Sequence, residues 1–205
     1  MLPVITANIF GPENIQKRGN VLFDSGAQIN LIRQETADCL GLKGKDISVT
    51  ITKVGGEEEE MRTKVYRVPV STIDNSRKHS IKAIGIPCIS DTIASINTTD
   101  ITKYLGLVNE KIRRGKGPVD LLIGIDYAHL HTGEMKQADH VVARKSPLGR
   151  VLFGSKPGCT TSETTRLLHL SNKTSVDLAE FCMGVEVKPC ICEAESSRKG
   201  RENND

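Results

Sequence analysis

Alternating apolar and polar positions dominate the first three quarters of the chain, and they predict strands far more often than helices. Residues 2–10 are rich in Val, Ile and Thr and read as a first strand, closed by a turn at Gly11-Pro12-Glu13-Asn14. Lys17-Arg18-Gly19-Asn20 reads as a polar connection into the apolar run Val21-Leu22-Phe23. Residues 27–32 read as another short strand and 33–40 as a helix stopped at Gly41. In 46–53, Ile47, Val49 and Ile51 alternate with Ser48, Thr50 and Thr52; a second alternating run covers 61–70. Gly55-Gly56 lies between them, so the pair predicts a β-hairpin with a glycine tip. The acidic run Glu57 to Glu60 reads as a solvated edge that discourages pairing with other chains.

Further on, 80–86 predicts a strand, and 91–97 and 101–113 predict helical pieces. Arg113-Arg114-Gly115-Lys116-Gly117-Pro118 predicts a solvated basic loop; it lacks the spacing and the strand–loop–helix setting of a phosphate site. Val119-Asp120-Leu121-Leu122-Ile123-Gly124-Ile125 predicts an apolar strand that runs into a glycine and a short helical segment through Leu130. Two more strands are expected at 138–143 and 149–153. After Gly154 the chain turns to Ser, Thr, Gly and Pro, with a short helix expected at 176–181 and a charged end. The domain is therefore expected to span 1–155, and 156–205 to be a largely disordered linker or connector tail.

Composition narrows the function classes. Apolar residues are 38% of the 205, below the usual globular share, consistent with a tail outside the core. A net charge of +3 is too small to point to nucleic acid or a membrane surface, and 3% aromatics cannot build base-stacking platforms. No stretch approaches the length of a membrane span. Met1 to Thr6 lacks a basic region followed by a long apolar one, so no secretion signal is expected. The six cysteines are then expected to be reduced thiols in the cytoplasm. Cys182, Cys190 and Cys192 with His169 fit zinc-ligand spacing poorly, so no metal and no cofactor are expected. His79, His129, His131, His140 and His169 read as surface or loop residues.

The candidate chemistry sits at Asp24. Three apolar residues end in this carboxylate, and Ser25-Gly26 turns the chain at once. A carboxylate on an apolar platform is costly unless it is hydrogen-bonded or protonated, which makes such a position a candidate for general acid/base work. Asp-Ser-Gly is also an ordinary turn sequence. Ser25 lacks the glycine-flanked elbow of a serine nucleophile.

Phe23-Asp24-Ser25-Gly26-Ala27, followed much later by Leu121-Leu122-Ile123-Gly124, resembles the retropepsin-like aspartic proteases. More narrowly, the chain resembles the protease region of BEL/Pao-type retrotransposon polyproteins. The matching segments are Leu2-Pro3, residues 22–32, residues 120–127 and residues 146–154, and 183–190 resembles the connector toward reverse transcriptase. Related connectors carry a Trp-containing acidic segment, whereas this chain has no Trp.

The resemblance implies a mainly β, closed, single-lobe acid-protease barrel with short helices. It implies an endopeptidase that processes a polyprotein bound in extended form. Asp24 would be catalytic, with Ser25, Gly26, Ala27 and Gly124 supporting its loop. Gly55 and Gly56 would form a flap, and Asp126 would be structural at a helix start. Only one Asp-Ser-Gly occurs, so a homodimer would supply the second carboxylate. A catalytically silent dimerisation or peptide-binding module is the alternative.

Overall fold

The computed structural model describes residues 1–52, 58–108, 110–155 and 171–173. The chain is mainly β with few short helices. Its strands are β1 (Val4–Phe10), β2 (Gln16–Phe23), β3 (Leu31–Arg33), β4 (Gly44–Thr52), β5 (Glu58–Ser71), β6 (Lys78–Ile86), β7 (Leu121–Ile123), β8 (Met135–Ala138), β9 (Val141–Ser146), β10 (Gly149–Gly154) and β11 (Ser171–Lys173). Helix α1 covers Gln34–Cys39 and α2 covers Thr98–Tyr104. The strands form one sheet in the order β11-β4-β5-β6-β3-β7-β2-β1-β10-β9-β8, with an added β5–β1 pairing.

β1 and β2 pair in register from Val4 opposite Leu22 to Phe10 opposite Gln16. The polar run Lys17-Arg18-Gly19-Asn20, expected as a connection, is therefore strand. Its side chains are polar because they serve contacts elsewhere: Lys17 reaches Asp120, and Asn20 holds the carbonyls of Lys116 and Pro118. The basic segment 113–118 is thus pinned rather than a free loop, and Thr6 N–H also donates to the Arg113 carbonyl.

The feature that places the site is the crossing at β7. β2 and β3 are joined by the loop that begins at Asp24, yet they do not pair. β7 lies between them, parallel to β2 and antiparallel to β3. The loop must therefore pass over the end of β7, where Gly124 stands. Residues 27–30, expected as strand, are that crossing; Ala27 and the Asn30 side chain bond to the turn after β7, and the Asn30 carbonyl takes the Ile84 N–H of β6.

The pleat of β2 and β7 divides the core. Val21, Phe23, Leu121 and Ile123 face one cluster with Ile5, Ile32, Val68 and Ile81. Leu22 and Leu122 face the other, with Leu31, Val49, Ile84, Ile86 and Ile89. Buried branched side chains on both faces of a strand give it the continuous apolar run seen in the sequence, each contributing roughly 1.5–3 kcal/mol.

Hairpin β4–β5 runs in register to Thr52 opposite Glu58. Gly55 and Gly56 fall among the five residues between, outside the described ones. Glu58, Glu59 and Glu60 are exposed, but they are strand residues paired with β4 rather than an outer edge of the sheet. Helix is absent from 91–97, where Ile93 instead bridges Gly117. The helix expected over 101–113 spans Thr98–Tyr104, because Asn97 caps its start and Gly106, at φ +64°, ends it. Its Ile101, with Leu105 and Leu107, packs on Val141, Ala143 and Leu152 of β9 and β10. The short, half-exposed strand β8 adds to the two strands expected after residue 130. Gly41, at φ +63°, follows α1 as the sequence suggested. The expected helix at 176–181 and most of 156–205 lie outside the described residues; β11 pairs with β4, Ser171 opposite Thr52.

Candidate functional site

Asp24 follows β2 directly and is half-buried, with Ser25 and Gly26 exposed behind it and Ala27 buried. Its backbone N–H donates to the Ile123 carbonyl at 3.0 Å, which carries the β2–β7 ladder one step past the strand. Its carboxylate accepts from the Gly26 amide at 2.9 Å, and its carbonyl accepts from the Ala27 amide at 3.3 Å. Aspartate, a small hydroxyl residue and glycine make this compact turn because the short carboxylate reaches a backbone N–H two residues on. One carboxylate oxygen is thereby oriented by the backbone, and the side chain stands where β2 opens to solvent.

The loop is seated on Gly124. The Ile125 N–H donates to the Ala27 carbonyl at 2.8 Å, and the Gly124 N–H donates to Asn30 Oδ1 at 2.9 Å. A Cβ on Gly124 would lie 2.5 Å from the Ile29 carbonyl oxygen and 2.7 Å from that of Ala27. Glycine is needed here for close approach, since its φ of −83° suits any residue.

Three polar residues not singled out as site candidates hold the surroundings. Asn30 is buried and ties three elements: its amide donates to the Lys82 carbonyl at 2.9 Å and to Asp126 Oδ2 at 2.7 Å, and its oxygen takes the Gly124 N–H. Asp126, expected at a helix start, opens the 3-10 segment Ile125–His131 and accepts from the Tyr127 N–H. Partial burial pushes its pKa up, against the lowering effect of those donors.

His131 is buried, contrary to its expected place on the surface or in a loop. Its Nε2 sits 3.1 Å from the Ile123 carbonyl and 3.0 Å from that of Gly124. Both partners accept only, so Nε2 carries a proton. Its ring meets Phe23 edge-on at 5.4 Å. Burial and then the Arg144 charge hold its pKa below the ordinary histidine value, against the opposing pull of the two carbonyls and Asp126.

At the other end of β7, Asp120 is buried among Lys17 Nζ (2.8 Å), Arg33 Nη2 (3.3 Å), Thr36 Oγ1 (2.5 Å) and the Asn20 N–H (2.9 Å). Desolvation pushes its pKa up, but the donors outweigh it and hold the carboxyl below its usual range. This carboxylate is consumed by structural partners.

A cavity of about 820 Å³ lies between hairpin β4–β5 and the end of β6, lined by Ile47, Met61, Thr63 and Gly85 among others, and not by Asp24. Among the described residues no group of three or more His, Cys, Asp or Glu is placed to hold a metal ion. Cys182, Cys190, Cys192 and His169 lie outside them. No helix of the described residues is long and apolar enough to cross a membrane.

Residues 5–127 match the family model for aspartyl proteases, a span that takes in all of β1 but its first residue, the Asp24 loop, the β4–β5 strands and Gly124. No curated protein and no solved structure matches the chain.

Proposed function

This chain belongs to the aspartyl protease family, and we propose that it works as a homodimeric, retropepsin-like aspartic endopeptidase with Asp24 as its catalytic residue. The observation that carries this reading is a single Asp-Ser-Gly loop, backbone-oriented and open to solvent, seated on Gly124. One loop supplies one carboxylate, so a second copy supplies the other. Two carboxylates held close cannot both ionise cheaply and share one proton, and their titration belongs to the pair. The ionised member takes a proton from a bound water as it attacks the scissile carbonyl. The protonated member donates to the carbonyl oxygen. Ser25, Gly26, Ala27 and Gly124 keep the loop in place.

The substrate is a peptide bound extended, as a strand, beneath a flap with Gly55 and Gly56 at its tip. The extra β5–β1 pairing, which links the two ends of the run β5-β6-β3-β7-β2-β1, supports a closed single-lobe barrel. Residues 1–155 form the protease domain and 156–205 a connector. Polyprotein processing, in an element of the BEL/Pao kind, follows from the sequence resemblance, and the cytoplasmic setting from cysteines read as reduced thiols.

The test is cleavage of a peptide library at mildly acidic to neutral pH by the parent and by Asp24→Asn. Cleavage that is blocked by a pepstatin-like inhibitor and lost in the variant supports the reading. A folded, dimeric parent that cleaves nothing would replace it with a silent peptide-binding module.

A further inference from the structure

We propose that His131 is a positioning residue for the Asp24 loop, acting through the two carbonyls at the end of β7. The inference rests on Asp24 being the working carboxylate and adds what fixes its place. The Ile123 carbonyl is a shared acceptor: it takes the Asp24 N–H at 3.0 Å from the loop side and His131 Nε2–H at 3.1 Å from the core side. The Gly124 carbonyl takes the same Nε2–H at 3.0 Å. Gly124 is the residue whose missing Cβ lets the loop sit down. His131 therefore locks the orientation of two consecutive peptide groups, one bonded to Asp24 and the other lying under Ala27 and Ile29.

Its second contact reaches the same residue by another route. The ring stands edge-on to Phe23, which immediately precedes Asp24. Arg144 of β9 lies over the other aromatic surfaces, 5.6 Å from the Phe23 ring and 5.5 Å from that of Phe153. The charged groups facing His131 are thus Arg144 from β9 and Asp126 from its own segment. His131 Nδ1 is buried with no hydrogen-bond partner. A proton added there would be a buried donor without an acceptor beside an arginine, so the ring stays neutral with its hydrogen on Nε2. A side chain of this geometry supplies one buried donor to two carbonyls and no charge. Glutamine keeps an N–H donor without the ring; phenylalanine keeps a ring without the donor.

The test uses the full chain and three readouts. In the parent, nitrogen NMR of the His131 ring is expected to show the neutral tautomer protonated at Nε2. The Nδ1-protonated or the charged ring at neutral pH would overturn the proposal without any variant. Hydrogen exchange at the Asp24 amide is expected to quicken about tenfold in His131→Phe, from loss of the donor to its acceptor carbonyl, and to stay nearer the parent in His131→Gln. Peptide cleavage is expected to lose kcat by about tenfold or more in His131→Phe, with KM within about twofold, and to recover in part in His131→Gln. Parent-like exchange at Asp24 in a folded His131→Phe, or equal loss in both variants with KM rising in step, would reduce His131 to a core residue. The NMR and exchange readouts need no cleavage, so they decide this inference separately from the Asp24→Asn result.

Discussion

Gly124→Ala tests how the loop is seated. A Cβ there would stand 2.5 Å from the Ile29 carbonyl oxygen, 2.7 Å from that of Ala27 and 3.0 Å from the Ile29 nitrogen. All three are backbone atoms, so no side chain can swing aside. Reaching an ordinary 3.4 Å contact requires the crossing loop to lift by about 0.9 Å. Lifting it strains the Ile125–Ala27 and Gly124–Asn30 hydrogen bonds, both 2.8–2.9 Å. Overpacking of this kind costs about 1–3 kcal/mol, which for a chain of this size lowers Tm by roughly 2–12 °C. A carboxylate displaced by near 1 Å loses on the order of a hundredfold in rate. The assay pairs thermal melting with peptide cleavage. Gly26→Ala is the control, since its Cβ would meet only the Asp24 carboxylate oxygen at 3.3 Å. That variant is expected to melt with the parent while cleaving more slowly. A Gly124→Ala protein that melts and cleaves like the parent would refute the seating of the loop on that glycine.

Asn30→Ala strands the Gly124 N–H and the Lys82 carbonyl and strips one donor from Asp126, and is expected to cost about 2–4 kcal/mol in urea unfolding; a loss under about 0.5 kcal/mol would sink the idea that it ties the loop to β6 and β7. Asp120→Asn is expected to destabilise by about 1–3 kcal/mol at neutral pH. Because the folded Asp120 pKa is held low, its stabilisation is present above the unfolded value and is lost as pH falls through the folded one. The variant should therefore show a shallower acid decline, measured by urea unfolding at several acidic pH values. His131 titrates in the same sense over a higher window: its folded pKa is depressed, so the unfolded chain binds the proton first and stability falls as pH drops below the ordinary histidine value of 6.5. His131→Gln should flatten the unfolding free energy over that window, and an unchanged slope would contradict the assignment.

The Asp24 loop was legible because its determinants are local. An apolar strand, one carboxylate and a Ser-Gly turn sit within six residues, and the second apolar run ends in a glycine. Asn30, His131 and Asp120 were not, because their roles arise from pairings across the chain. Asn30 meets a residue 96 positions away, and Asp120 meets Lys17 and Arg33 from two other elements. The same long-range bonding disguised Lys17 to Asn20, whose polar side chains look like a connection until Asp120 and segment 113–118 are folded against them. His131 reads as a loop histidine because only the folded β7 turns two carbonyls toward it. The end of α2 was within reach, since Gly106 follows Leu105 as a stop signal inside the longer helix expected there.

The claim that each copy contributes one carboxylate is tested most directly by mixing. Parent protein at fixed concentration is combined with an equal amount of Asp24→Asn, allowed to exchange subunits, and assayed for peptide cleavage. If two Asp24 side chains are required, half of the parent protomers enter silent mixed dimers and activity falls to about half, with further loss as more variant is added. Activity that stays at the parent level, after subunit exchange has been verified, would contradict the shared site.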